Sequence, residues 1–148
     1  MRVVLDTNLI VRAAGERAGL GLDLILLAIT EPHVLLISHS LYAEIRRVMH
    51  YPRLRALHRL DEAGIQSFLD DLLVVTEQIA LAGHPHAGPL VGLDPTDDPI
   101  LLTAVAGRAD AIGTNNRHFF AADVVGFAQS HGIRILRDAE LIVELRKI

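Results

Sequence analysis

Four residues far apart in the chain have side chains suited to holding a hard divalent cation: Asp6, Glu44, Asp98 and Asn116. Asp6 directly follows the apolar run Val3-Val4-Leu5, and Asn116 lies two residues beyond Thr114, where a second apolar run ends. Asp98 stands immediately before Pro99, and Glu44 lies six residues after Ser38 in an amphipathic stretch. Oxygen ligands of this kind fit Mg²⁺ or Mn²⁺, which bind through one or two carboxylates plus substrate phosphate. Such an ion lowers the pKa of a water, orients it for in-line attack and neutralises charge on the leaving oxygen, which is phosphodiester hydrolysis. Carboxylates brought together without a cation would repel and raise each other's pKa, so their convergence would itself argue for a bound dication.

Each residue also has a purely structural use. Asp6 and Asp98 can cap the helices that follow them, Asn116 can cap a turn, and Glu44 can pair with Arg47 one helical turn away. Only their meeting at one place separates chemistry from capping.

The elements between them say where they can meet. Arg2 to Leu5 reads as a buried strand that ends at Asp6-Thr7-Asn8, with a helix expected from about Leu9. Gly15 to Gly21 marks a turn before a second helix through Leu22, Ile25, Leu26 and Ile29, stopped by Pro32. Val34 to Ile37 reads as another strand buried on both faces, and Ser38 can cap a helix with the stripe Leu41, Ile45, Val48 and Met49, ended by Pro52. Glu44 sits at the border of that stripe, near the core but able to reach a cleft. Asp61 opens a helix through Ile65, Phe68, Leu69 and Leu72, and Val74-Val75-Thr76 is expected to be a strand. Gly83 to Pro95 is expected to be loop, followed by a helix from Pro99 to Gly107, a strand from Ala109 to Thr114, a last strand from Gly132 to Leu136 and a last helix from Ala139 to Arg146. Helices alternating with short apolar strands predict an α/β fold with a mainly parallel sheet, whose ligands bind beyond the carboxyl ends of the strands. Asp6 and Asn116 both fall at that edge, and Asp98 and Glu44 can reach it.

The bulk properties narrow the function. With 148 residues, 51% of them hydrophobic, the chain suits one packed domain spanning residues 1 to 148. It has no cysteine, which excludes disulfides and thiolate metal sites and suits a reducing cytoplasm. The amino terminus meets Asp6 after three apolar residues, unlike a secretory signal, and the apolar stretch Leu24 to Ile29 falls far short of the roughly 20 residues that span a bilayer. A formal charge of −4 argues against a generally basic surface, so a polyanion must be bound locally. Basic charge is concentrated between Glu44 and Asp61, where Arg46, Arg47, Arg53, Arg55 and Arg59 stand with His50 and His58 and no acid intervenes. A solvated helix face would explain that segment equally well.

Four segments in this order resemble the PIN-domain family, in the branch of toxin components of toxin–antitoxin systems related to VapC-like toxins. They are Val3-Val4-Leu5-Asp6-Thr7-Asn8; Ser38 with Leu41, Ala43, Glu44 and Ile45; Asp94-Pro95-Thr96-Asp97-Asp98-Pro99-Ile100-Leu101; and Ala109 through Thr114-Asn115-Asn116-Arg117-His118-Phe119. The resemblance implies a three-layer α/β/α sandwich and a metal-dependent endoribonuclease. By position it makes Asp6, Glu44 and Asp98 the acidic metal ligands, with Asp97 the rival to Asp98, and gives Asn116 the fourth place, often an aspartate in this family. An amide there lowers the negative charge of the site and weakens the hold on a second ion. Thr7 and Asn8 are expected to support Asp6, and Thr114 to reach a metal-bound water; these three, with Arg46 and Arg47, are the expected substrate-facing residues. A cognate antitoxin, an RNA substrate and a homodimer are likewise implied.

Two other readings use the same residues. A PIN-fold module that binds nucleic acid or protein without cutting would suit Asn116 and the acidic overall charge. A phosphohydrolase for small esters would need a second acid two residues after Asp6, where this chain has Asn8.

Overall fold

The computed structural model describes residues 1–81 and 98–148, with Asp98 described by its backbone alone. The expected loop from Gly83 to Pro95, and Asp97 with it, lies outside the described residues.

Among the described residues five parallel strands form one sheet: β1 (Arg2–Leu5), β2 (Val34–Ser38), β3 (Glu77–Ile79), β4 (Ala111–Gly113) and β5 (Arg134–Leu136), in the order β3-β2-β1-β4-β5. Strand β1 is central, which is why Val3, Val4 and Leu5 are all fully buried and read as one unbroken apolar run. Between β1 and β2 run α1 (Thr7–Ala13) and α2 (Leu20–Ala28); between β2 and β3 run α3 (His39–Met49), α4 (Pro52–His58) and α5 (Glu62–Val75). Helix α6 (Asp98–Ala106) leads into β4, a 3-10 turn (Arg117–Phe120) and α7 (Ala122–Ser130) lead into β5, and α8 (Asp138–Arg146) closes the described chain.

The chain winds outward from β1 through β2 to β3, then returns to the other side of β1 for β4 and β5. Crossovers between parallel strands are right-handed as a rule, so a reversal of the winding direction calls for helices on both faces of the sheet. Helix α6 packs on β1, β2 and β4 and α7 on β5, while α8 crosses back to lie against α2. The result is the expected α/β/α layering. The direction of winding reverses between β1 and β4, and that switch point is where such sheets leave a crevice at their carboxyl edge.

Several boundaries differ from expectation. Helix α1 begins at Thr7 rather than Leu9, because Asp6 caps it. Val74 and Val75 finish α5 instead of forming a strand, since the buried stripe Ile65, Leu69 and Leu72 carries the helix on. The strand that follows, β3, lies at the sheet edge and is mostly exposed, so it has no apolar pattern to announce it. Pro52 follows the end of α3 but also opens α4 as a first-turn proline, whose fixed φ suits that place. The turn that Asn116 caps was expected, but the helix after it, α7, went unforeseen: its buried anchors are only Val124 and Ala128, too sparse a stripe to read. Among the described residues no helix is long and apolar enough to cross a membrane.

Candidate metal centre and substrate cleft

Strand register brings the first two site residues together. Leu5 stands opposite Gly113 in the β1–β4 pairing, so one step onward Asp6 meets Thr114. The Asp6 N–H continues the ladder by donating to the Gly113 carbonyl at 2.9 Å. The Thr114 hydroxyl, fully buried, donates to Asp6 Oδ2 at 2.7 Å. Asp6 Oδ1 accepts the Asn8 N–H at 3.3 Å, which makes Asp6 the cap of α1 as well. The capping use foreseen for Asp6 is therefore present. Asp6 is only 4% exposed. Burial pushes its carboxyl pKa up, opposed by the Thr114 hydroxyl and the N–H groups of Asn8 and Thr7. Among the described residues no cation pairs with it.

Glu44 is drawn to the same place by the residue next to Asp6. The Thr7 hydroxyl donates to Glu44 Oε2 at 3.1 Å, bridging the first turn of α1 to the middle of α3. The Ser38 side chain caps α3 by accepting the Leu41 N–H, and Leu41, Ile45 and Met49 bury its stripe, leaving Glu44 at the border with its side chain 13% exposed. Arg47 also approaches Glu44, at 3.9 Å, so the helix-surface pairing is present but long.

Asn116 joins through Thr114, whose Oγ1 accepts the Asn116 N–H at 3.0 Å. Its own Oδ1 accepts the His118 N–H at 3.0 Å and caps the 3-10 turn. Thr114 thus touches both Asp6 and Asn116.

Asp98 is placed by its backbone. Helix α6 is about 13 Å long at the usual rise for its nine residues. Just beyond its last turn the Gly107 carbonyl accepts Arg2 Nε at 3.0 Å, at the amino end of β1. The opposite end, where Asp98 stands, therefore belongs to the carboxyl edge of the sheet. Thr103 one turn further on donates to the Ser38 hydroxyl at 2.7 Å, at the carboxyl end of β2. Among the described residues, to which the Asp98 side chain does not belong, no group of three or more His, Cys, Asp or Glu is close enough to hold a metal.

A cleft of about 500 Å³ opens at this edge, lined by Asp6, Asn8, Leu9, Arg12, Arg53, Leu54, Leu57, Asn115 and Asn116. Arg12 and Arg53 are the cations that reach it; Arg46 and Arg47 are exposed on α3 and do not line it. Arg53 belongs to the arginine-rich segment, but its role depends on α4, which was hidden behind Pro52. Arg12 and Asn115 were missed. The spacing of Asn8 and Arg12 by one helical turn, which puts both on the cleft face of α1, was the available signal. Thr7 and Asn8 act on Glu44 and Asp6, as supports.

The donor set fits a hard dication. It offers carboxylate and amide oxygens, and the buried charge of Asp6 has no cation beside it among the described residues. The residues placed here would hold such an ion at the strand ends, with the cleft alongside for a polyanion.

The family described as PIN domain matches residues 2–118, a span that holds all four expected ligands. Among curated proteins none matches the sequence. Among solved structures the chain is similar to one in the crystal structure of VapBC2 from Rickettsia felis bound to a DNA fragment from their promoter, with a TM-score of 0.59 and 20% identity over 93% of this chain and 98% of that one. That identity speaks for the fold alone, whereas the family match covers most of the sequence. The chain belongs to the PIN domain family.

Proposed function

We propose that this protein is a Mg²⁺- or Mn²⁺-dependent endoribonuclease that hydrolyses RNA phosphodiester bonds, and that it is the toxin of a toxin–antitoxin pair. PIN domains are generally nucleases, which supports hydrolysis. The observation that carries the reading is Asp6: a buried carboxylate at the switch point of the sheet, opening into a cleft that also holds Arg12 and Arg53.

In this reading Asp6, Glu44, Asp98 and Asn116 hold the cation. When bound, it supplies an activated water and offsets the charge that develops on the leaving oxygen. Thr114 and the Asn8 N–H fix the two oxygens of Asp6, and Thr7 fixes Glu44, so the ligands need little reorganisation when the ion arrives. The cleft arginines supply the local attraction for phosphate that a chain of net charge −4 lacks overall.

The partners follow the same reading: RNA as substrate, a cognate antitoxin, a second copy of the chain, and the cytoplasm as the place of action. The similar chain comes from a structure of VapBC2 bound to a DNA fragment from their promoter, which supports a protein partner of the antitoxin kind.

The test is cleavage of single-stranded and structured RNA in Mn²⁺. The parent is expected to cut, and Asp6→Asn, Asp98→Asn and added EDTA are each expected to abolish cutting. Variants that cut as fast as the parent, with EDTA harmless, would overturn the reading. The binding-module alternative draws on one observation, that the Asn116 carboxamide already serves as a cap. Failure to bind Mn²⁺ while still shifting RNA would favour it.

A further inference from the structure

Resting on the RNA-cleaving reading, we infer that Arg12 grips a backbone phosphate of the substrate and that Asp138, which lies beyond the PIN-matching span, is the positioning residue that aims it.

Asp138 opens α8, and α8 is fixed by packing on β4 and α2 with Leu141 and Leu145 fully buried or nearly so. Its Oδ2 accepts both Arg12 Nη2 at 3.1 Å and Asn115 Nδ2 at 2.8 Å. The Asp138 N–H returns a bond to Asn115 Oδ1 at 3.3 Å, and Oδ1 of Asp138 accepts the Ala139 N–H at 2.7 Å. Both oxygens are therefore held, and the side chain is 14% exposed against 44% for Arg12. Burial pushes the Asp138 carboxyl up, but Asn115, the Ala139 N–H and Arg12 outweigh it and hold the group below its ordinary value, so it is ionised.

Arg12 and Asn115 line the cleft, while Asp138 stands behind them. A guanidinium has five donors in a rigid fork, and Asp138 engages one nitrogen. The remaining donors are left for a phosphate, and the fork is orientated before the substrate arrives. The same Asp138 oxygen also accepts from Asn115, so Arg12 is tied to a second residue of the cleft wall. The ligand is the sugar–phosphate backbone of single-stranded RNA, gripped without regard to base.

Two opposing effects fix the sign of the Asp138 variant. Removing its charge tightens RNA less than about twofold, because the interaction is screened across exposed surface. Releasing a long, rotamer-rich arginine weakens it about threefold, so weakening wins.

The experiment measures fluorescence anisotropy of a short fluorescein-labelled single-stranded RNA of mixed sequence, in EDTA, across a salt series, with folding of each variant checked by thermal unfolding. Arg12→Gln is expected to weaken binding about tenfold and to reduce the log–log salt slope by about 0.7, the value for one phosphate contact on a single strand. Asp138→Asn is expected to weaken binding about threefold, Asp138→Glu to restore part of it, and the weakening to vanish in the Arg12→Gln background, where only the less than about twofold tightening from the lost charge remains. Unchanged affinity and slope in Arg12→Gln, or an Asp138→Asn weakening that persists without Arg12, would overturn the proposal, as would a parent that binds no RNA. A parent that cleaves RNA with an affinity indifferent to Arg12 refutes this proposal alone; a parent that binds through Arg12 but never cleaves refutes only the nuclease reading.

Discussion

The hydroxyl of Thr114 donates to Asp6 Oδ2 over 2.7 Å, between residues that directly follow neighbouring strands and that no solvent reaches on the Thr114 side. The Thr114 hydroxyl oxygen in turn accepts the Asn116 N–H. Thr114→Val keeps the shape and deletes both bonds. Removing it leaves buried polar groups unsatisfied, so the variant is expected to lose about 1–3 kcal/mol of stability in urea unfolding. Its affinity for Mn²⁺ is expected to fall as well, because the Asp6 carboxylate loses its strongest orienting contact. A variant as stable as the parent and binding Mn²⁺ equally well would show that Thr114 does not organise the site.

Asp6 carries a burial-raised pKa, and the sign of its effect on stability follows. The folded state binds the proton more tightly than the unfolded one, so ionising Asp6 works against folding. That cost appears as pH rises through the ordinary carboxylate range and is complete above the raised folded value. Without metal, Asp6→Asn is therefore expected to gain stability relative to the parent as pH rises, while losing stabilisation by added Mn²⁺. Thermal unfolding against pH, with and without Mn²⁺, checks both. A variant that loses ground with rising pH would contradict the burial argument.

How much of this was legible in the sequence depends on what each residue does. Val3-Val4-Leu5 followed by Asp6 announced a central strand and its terminal carboxylate, because full burial on both faces leaves an unbroken apolar run. Ser38 announced the α3 cap, and the stripe through Ile45 placed Glu44 at its border. The cleft itself was less legible. Arg53 reaches it only because α4 begins at Pro52, and the side chain that holds Arg12 comes from Asp138, 126 positions away. Long-range pairing of exposed polar groups leaves no period in the sequence to read. Edge strand β3 was missed for the converse reason, since exposure removes the apolar pattern on which recognition relies.

Gly15 lies where α1 turns toward α2, and a side chain there would put its Cβ 2.5 Å from His58 Cα at the end of α4. Backbone cannot yield as a flexible side chain can. Gly15→Ala is expected to destabilise the fold by about 1–3 kcal/mol through overpacking and to displace α4. Because α4 carries Arg53 to the cleft, RNA affinity is expected to fall with it. Unfolding and RNA titration on the same variant check the pair, and full stability would contradict the close approach.

On the outer surface, His50 Nε2 donates to Glu62 Oε1 at 2.9 Å and Nδ1 donates to the Arg46 carbonyl at 2.7 Å. Two acceptors favour the doubly protonated ring. The Glu62 hydrogen bond, then the Arg46 carbonyl, raise the His50 pKa above its ordinary value of 6.5. The folded state holds that proton more tightly, so the contribution to stability is fully present below the ordinary value and is lost as pH rises through the raised one. Glu62, held low by His50 and Arg55, contributes above the ordinary carboxylate value and loses it as pH falls through its own. A proton NMR titration is expected to show His50 above 6.5 in the parent and returning toward it in Glu62→Gln. Titration of the parent at or below the ordinary value would contradict the pairing.

Diffraction from crystals soaked in Mn²⁺, recorded to give an anomalous signal, tests the proposed site most directly. The geometry predicts one strong peak at the carboxyl edge of the sheet, within coordinating reach of Asp6 and Glu44, with Asp98 and Asn116 completing its protein ligands. A peak elsewhere, or an Asp6 carboxylate that stays metal-free at saturating Mn²⁺, would contradict it.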